Sequence, residues 1–220
     1  MEKKDTAPGK GGKYPRLPAK KKSHLIITLS LSLYGILLAA FAPHPAPDRY
    51  LCAAAMLLSS LGDIVLMNFR PVTDRLRLHG FVAGGAVFGI SHIIYAAGFA
   101  VLNLVRGGSF LNAGLLAAVA VWAALITFGA FRYRDAGGSK PLFLPVAGYL
   151  SLICADCASV WAAAVSLGGL RWISAAGIFL FLASDLFIFF DKLLGVRTKN
   201  NDLAIWILYP AGQFLLLTGG

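Results

Sequence analysis

Charge is what this chain has least of. Only 14% of its 220 residues are Asp, Glu, Lys or Arg, where a soluble domain carries about 25%. Too few polar side chains remain to clothe a water-facing surface. Acids are scarcer still: there are ten, and Glu2 is the one glutamate. Period-two alternation is missing as well, which excludes the alternating segments of about ten residues that build a transmembrane β-barrel. Cysteine is limited to Cys52, Cys154 and Cys157, all within apolar runs. Cys154 and Cys157 make a C-x-x-C with no second pair and no adjacent histidine, so they read as small packing residues rather than a zinc site.

What is present is apolar length. Hydrophobic residues make up 58% of the chain and mean hydropathy is +0.72. The apolar runs approach the ~20 residues needed to cross a ~30 Å hydrocarbon core as a helix. The fold class is therefore all-α, a polytopic transmembrane helix bundle of about seven helices. Spans are expected over 25–42, 50–68, 81–102, 111–131, 142–166, 170–190 and 203–218. The links between them hold Pro43-His44-Pro45-Ala46-Pro47, Arg70-Pro71, Arg106-Gly107-Gly108, Gly137-Gly138, Gly168-Gly169 and Lys199-Asn200-Asn201-Asp202. Residues 1–24 read as a basic disordered tail and 25–220 as the membrane domain.

The net charge of +10 is not a nucleic-acid footprint, because its distribution follows topology. With the N-terminus cytoplasmic, 17 Lys and Arg fall on the inner side and only Arg49, Arg106 and Arg171 on the outer side, the bias that orients membrane proteins. Lys20-Lys21-Lys22 is placed to meet anionic lipid headgroups. The first apolar stretch and Ala40-Phe41-Ala42 imitate a secretory signal. That stretch is longer than the usual 7–15 residues of a signal core, so a retained helix is expected. The setting is a cell membrane, with the cytoplasmic membrane of a bacterium the expected one.

Ionisable groups inside membrane helices cost about 2.5–3.5 kcal/mol each on insertion scales and mark function by default. Asp63, His92, Asp156 and Asp185 are such groups. Asp63 and Asp185 each sit near the inner end of an expected span, ~8–9 Å deep at 1.5 Å per residue, and matching depth suggests a shared pocket. His92 and Tyr95 share a helix face. Gly80, Gly84, Gly85 and Gly89 on the same helix offer close packing. Tyr149 and Asp156, seven apart, also share a face, and Tyr209 and Gln213 are i, i+4 partners around Pro210.

Four short motifs occur in order: Ser60-Leu61-Gly62-Asp63; Gly89-Ile90-Ser91-His92-Ile93-Ile94-Tyr95; Phe181-Leu182-Ala183-Ser184-Asp185; and Tyr209-Pro210-Ala211-Gly212-Gln213. Together they resemble the YhhN family of membrane proteins over roughly residues 50–218. The resemblance implies a lysoplasmalogenase-like hydrolase that cleaves the vinyl ether bond of lysoplasmalogens to a fatty aldehyde and a glycerophospho-alcohol. It places the catalytic acids on Asp63 and Asp185. His92, Tyr95, Asp156, Ser184, Tyr209 and Gln213 are expected around the substrate. The family is described with eight helices and an early Lys-Pro pair, whereas seven spans and no such pair are read here, and Gly212 stands where Ala is typical.

The chemistry suits two carboxyls. A vinyl ether is hydrolysed by protonating its β-carbon, and water attacks the resulting oxocarbenium ion. Glycosidases run related chemistry with an acid and a carboxylate, and burial side by side can keep one of two carboxyls protonated. No metal or cofactor is expected. The expected partners are a lysophospholipid substrate and membrane lipids, with oligomeric state open. The competing reading is a small-solute or proton-coupled transporter using the intramembrane acids. A zinc amidase is disfavoured, since His24, His44 and His79 lie at helix ends or in links.

Overall fold

A computed structural model describes residues 19–42, 47–77, 80–135, 140–197 and 199–220. The expected tail up to residue 18, the link at 43–46, His79 and Gly137-Gly138 lie outside the described residues. The described chain forms eight helices: α1 (Ala19–Ala40), α2 (Pro47–Leu66), α3 (Arg70–Leu76), α4 (Gly80–Val105), α5 (Ala113–Asp135), α6 (Lys140–Leu167), α7 (Arg171–Leu194) and α8 (Asn201–Thr218).

Six of them, all but α3 and α8, are long and apolar enough to cross a membrane. The seventh expected span, α8, is diluted by Asn201, Asp202 and Gln213. It nevertheless runs antiparallel along α7: Ser174 Oγ donates to the Leu216 carbonyl at one end and Asn201 Nδ2 to that of Phe187 at the other. The eighth helix is the short α3, opened by Pro71 and closed by Arg77 in the left-handed region. Its seven residues are far below a bilayer's thickness.

Polarity is arranged inside out. Leu33, Leu104, Leu116, Phe131 and Phe179 face outward, while Ser59, Ser91, His92, Asn103, Asp156, Ser174 and Gln213 are fully buried. Lipid accepts the first set, and all of the second except the Asn103 amide find hydrogen bonds inside the bundle. Met56, Tyr95, Phe99, Ile153, Ile178, Phe181 and Leu216 fill the spaces between them.

Local chemistry sets the helix ends. Asn112 Oδ1 accepts the backbone N–H groups of Gly114 and Leu115, capping α5. Gly195, at φ 65°, ends α7 with Val196 N–H donating to the Phe190 carbonyl. The α7–α8 crossing is tighter than any side chain allows. A Cβ on Gly212 would lie 2.8 Å from the Gly177 carbonyl oxygen, and one on Gly177 would lie 2.4 Å from Leu216 N. Glycine at 212 is therefore the residue this crossing accepts. On α4 the close approaches are at Gly84, against Leu66 of α2, and Gly89, against Leu152 of α6, while Gly80 and Gly85 face open space.

These contacts gather one set of helix ends. His24 of α1 meets Asp63 of α2, and Leu66 of α2 meets Gly84 of α4. Tyr149 of α6 meets Asp185 of α7. The starts of α1, α4, α6 and α8 therefore share an end of the bundle with the finishes of α2 and α7, and both acids lie near that end.

Candidate active site

Asp63 is nearly buried, accepts from two hydroxyls and has an imidazole beside it. Tyr209 of α8 donates to its Oδ2 at 2.8 Å and Thr28 of α1 to the same oxygen at 2.6 Å. His24 Nε2, also on α1, lies 3.1 Å from Oδ1. The His24 ring stacks on Tyr209 with centroids 6.0 Å apart. Thr28 and Ser32 continue into Ser60, at 2.9 and 2.6 Å.

Gly62 makes room beside that carboxylate. A Cβ there would meet the Phe88 ring at 2.6 Å. Phe88, Phe181 and Tyr209 pack edge to face, with centroids between 5.2 and 6.4 Å apart. The glycine of the first motif thus lets an aromatic wall close around the acid.

Asp185 is held differently. The Tyr149 hydroxyl donates to its Oδ2, and Ser184 Oγ lies 3.4 Å from its Oδ1. Behind Tyr149 stands His92, whose Nε2 is 3.3 Å from the Tyr149 oxygen. Asp156 Oδ2 lies 2.9 Å from His92 Nδ1. The shared face of Tyr149 and Asp156 has a concrete use, since the two side chains bracket the His92 ring.

Both carboxyls line one cavity of about 610 Å³, within the usual range for a small-molecule site. Its remaining wall is apolar and comes largely from α4 and α6. Val82, Ile90 and Ile93 of α4 line it and are each about half exposed.

Among the residues expected around the substrate, Ser184 and Tyr209 line this cavity and His92, Tyr95, Asp156 and Gln213 do not. Tyr95 donates to Gln213 Oε1 at 2.8 Å, and Gln213 Nε2 donates to Ser59 at 3.3 Å. Ser59 and Ser91 are 2.7 Å apart. These groups satisfy one another across α2, α4 and α8 instead of facing a ligand. Their hydrogen-bonding capacity is taken up within the bundle.

The YhhN family model matches residues 24–220. The chain belongs to the YhhN family. No curated protein and no solved structure matches it. The match takes in α1, beyond the 50–218 carried by the four motifs, and in this YhhN protein α1 supplies two of the three side chains that meet the Asp63 carboxyl, Thr28 and His24. His24, Thr28 and Tyr149 are the site residues that sequence reasoning did not place there. A signal for the first two existed: His24, Thr28 and Ser32 recur every four residues, a polar stripe on an otherwise apolar helix.

Proposed function

We propose that this protein hydrolyses the vinyl ether bond of lysoplasmalogens, with Asp185 as the acid and Asp63 as the carboxylate. The observation that carries the reading is one largely apolar cavity with two carboxyl groups from different helices in its wall. Family membership supports it. The split of roles rests on donors. The Tyr209 and Thr28 hydroxyls converge on one oxygen of Asp63, with the His24 ring beside the other. Asp185 has the Tyr149 hydroxyl and a longer approach from Ser184.

The cycle closes with these two groups and one water. Asp185 gives its proton to the β-carbon, the C=C π pair forms the new C–H bond, and the carbon bonded to oxygen becomes an oxocarbenium ion beside Asp63. Water attacks that carbon as Asp63 takes its proton, leaving a hemiacetal. The two carboxyls have now exchanged states. Asp63 returns its proton to the ether oxygen as the C–O bond breaks. Asp185 removes the hemiacetal hydroxyl proton as the aldehyde C=O forms. One water is consumed, a fatty aldehyde and a glycerophospho-alcohol leave, and both acids are restored.

A single-chain lipid reaches the cavity sideways through the α4–α6 wall, while water and headgroup lie toward the basic end of the bundle. The charge distribution makes that end cytoplasmic in this reading.

The test is hydrolysis in deuterated water, with the saturated ether and the acyl ester of the same lysolipid as controls. The reading expects aldehyde from the vinyl ether alone, carrying one solvent deuterium on the carbon next to the carbonyl. No aldehyde from folded protein, or equal cleavage of the ester, would contradict it.

A further inference from the structure

Asp156 and His92 are fully buried, lie outside the cavity, and have no part in the cycle above. We infer that they are positioning residues. With Tyr149 they form a directed hydrogen-bond chain, Asp156–His92–Tyr149–Asp185, that makes Oδ1 of Asp185 the oxygen carrying the catalytic proton. The inference rests on Asp185 being the acid.

The direction follows from counting protons. A tyrosine hydroxyl has one, and here it points at Asp185 Oδ2. The Tyr149 oxygen can then only accept, so the His92 nitrogen 3.3 Å away must carry a hydrogen on Nε2. On the other side of the ring, Nδ1 and Asp156 Oδ2 are 2.9 Å apart and share one proton between them. Asp156 Oδ1 has no partner among the described residues. A lone buried carboxylate is costly, and the proton held with His92 offsets that cost.

The consequence falls on the acid. An oxygen that accepts from Tyr149 is the carbonyl oxygen of a protonated carboxyl, so the acidic proton is left on Oδ1. The same oxygen is free later to take the hemiacetal proton, and the chain need not reverse during the cycle. Aligned hydrogen bonds polarise one another, so each member behind Tyr149 strengthens its hold. The geometry of α6 makes this possible: two turns separate Tyr149 from Asp156, and the His92 ring fits between them.

A plain clamp between α4 and α6 would use the same contacts, so the test must move something a clamp does not. The chain has four histidines, which makes the ring ¹⁵N signals of His92 assignable with His92→Gln. The expected result is a proton on Nε2 in the resting protein. A bare Nε2 would overturn the inference, because Tyr149 would then be donating to His92. This arm needs no substrate, so it stands apart from the vinyl ether reading.

The kinetic arm compares Asp156→Asn, His92→Gln and Tyr149→Phe in protein shown to be folded by its thermal transition. Each is expected to lower kcat about tenfold or more while leaving KM within about twofold, as for interactions made only in the transition state. Adding Asp156→Asn to Tyr149→Phe is expected to cost nothing further, since the chain is already cut. Additive losses, or losses in KM alone, would overturn it.

Discussion

The two acids are held by opposite means. Asp63 sits where α1, α2 and α8 meet, and Thr28, Tyr209 and His24 touch it directly. Asp185 depends on one hydroxyl backed by a file of groups reaching into the bundle from α4 and α6. The first arrangement gathers its contacts on the carboxyl itself, and the second reaches the carboxyl through a file of side chains. The proposed reaction calls for such a difference, because its carboxylate must stay ionised while its acid must present a proton to one atom.

The largest effect that would break this comparison comes from the acids themselves. Asp63→Asn and Asp185→Asn are each expected to lower kcat by about 10²–10⁴-fold, the range for general acid–base groups, read by the rate of aldehyde release. On the Asp63 side, His24→Ala removes the imidazole 3.1 Å from Oδ1. A hydrogen bond to a charged group is worth about 1.5–3 kcal/mol, so in the proposed reaction a loss of up to roughly 10–100-fold in kcat/KM is expected at tenfold per 1.36 kcal/mol. Thr28→Val keeps the shape and removes one donor, and with Tyr209 and His24 still in place a smaller drop is expected in the same assay. If either substitution leaves the rate untouched, the direct-donor account of Asp63 fails.

The smallest catalytic effect is expected away from both acids. Gly212→Ala forces a methyl to within 2.8 Å of the Gly177 carbonyl oxygen. Overpacking of this kind costs about 1–3 kcal/mol. A lower thermal midpoint with nearly unchanged kcat is the expected outcome. A large fall in kcat at unchanged stability would mean that the α7–α8 crossing positions Tyr209 or Asp185 more finely than argued here.

Much of this was legible before any coordinates. The depth of Asp63 and Asp185 follows from helix rise and span ends, and the cavity holds both. The common face of Tyr149 and Asp156 follows from a seven-residue spacing. What spacing could not supply is the identity of the third group on that face, because His92 arrives from α4.

His24 was hidden by a boundary. A tail drawn to residue 24 makes it a loop residue, whereas α1 begins at Ala19 and carries His24 inside a helix. Thr28 was hidden by its chemistry, since a hydroxyl is an ordinary guest in a membrane helix. Tyr95 and Gln213 looked like ligand groups because each is polar in an apolar span. Which polar group bonds a neighbour and which faces a cavity is a three-dimensional fact, and here those two bond each other. The length of α8 was legible, but its polar content kept it below the apolar threshold that the other long helices pass.

The most direct test of the central claim is aldehyde release from a lysoplasmalogen by purified protein in liposomes, with wild type, Asp63→Asn and Asp185→Asn measured side by side. The account predicts release by the wild type and its loss in both variants, with all three sharing one thermal transition. Release that survives in either folded variant would contradict the paired-carboxyl site.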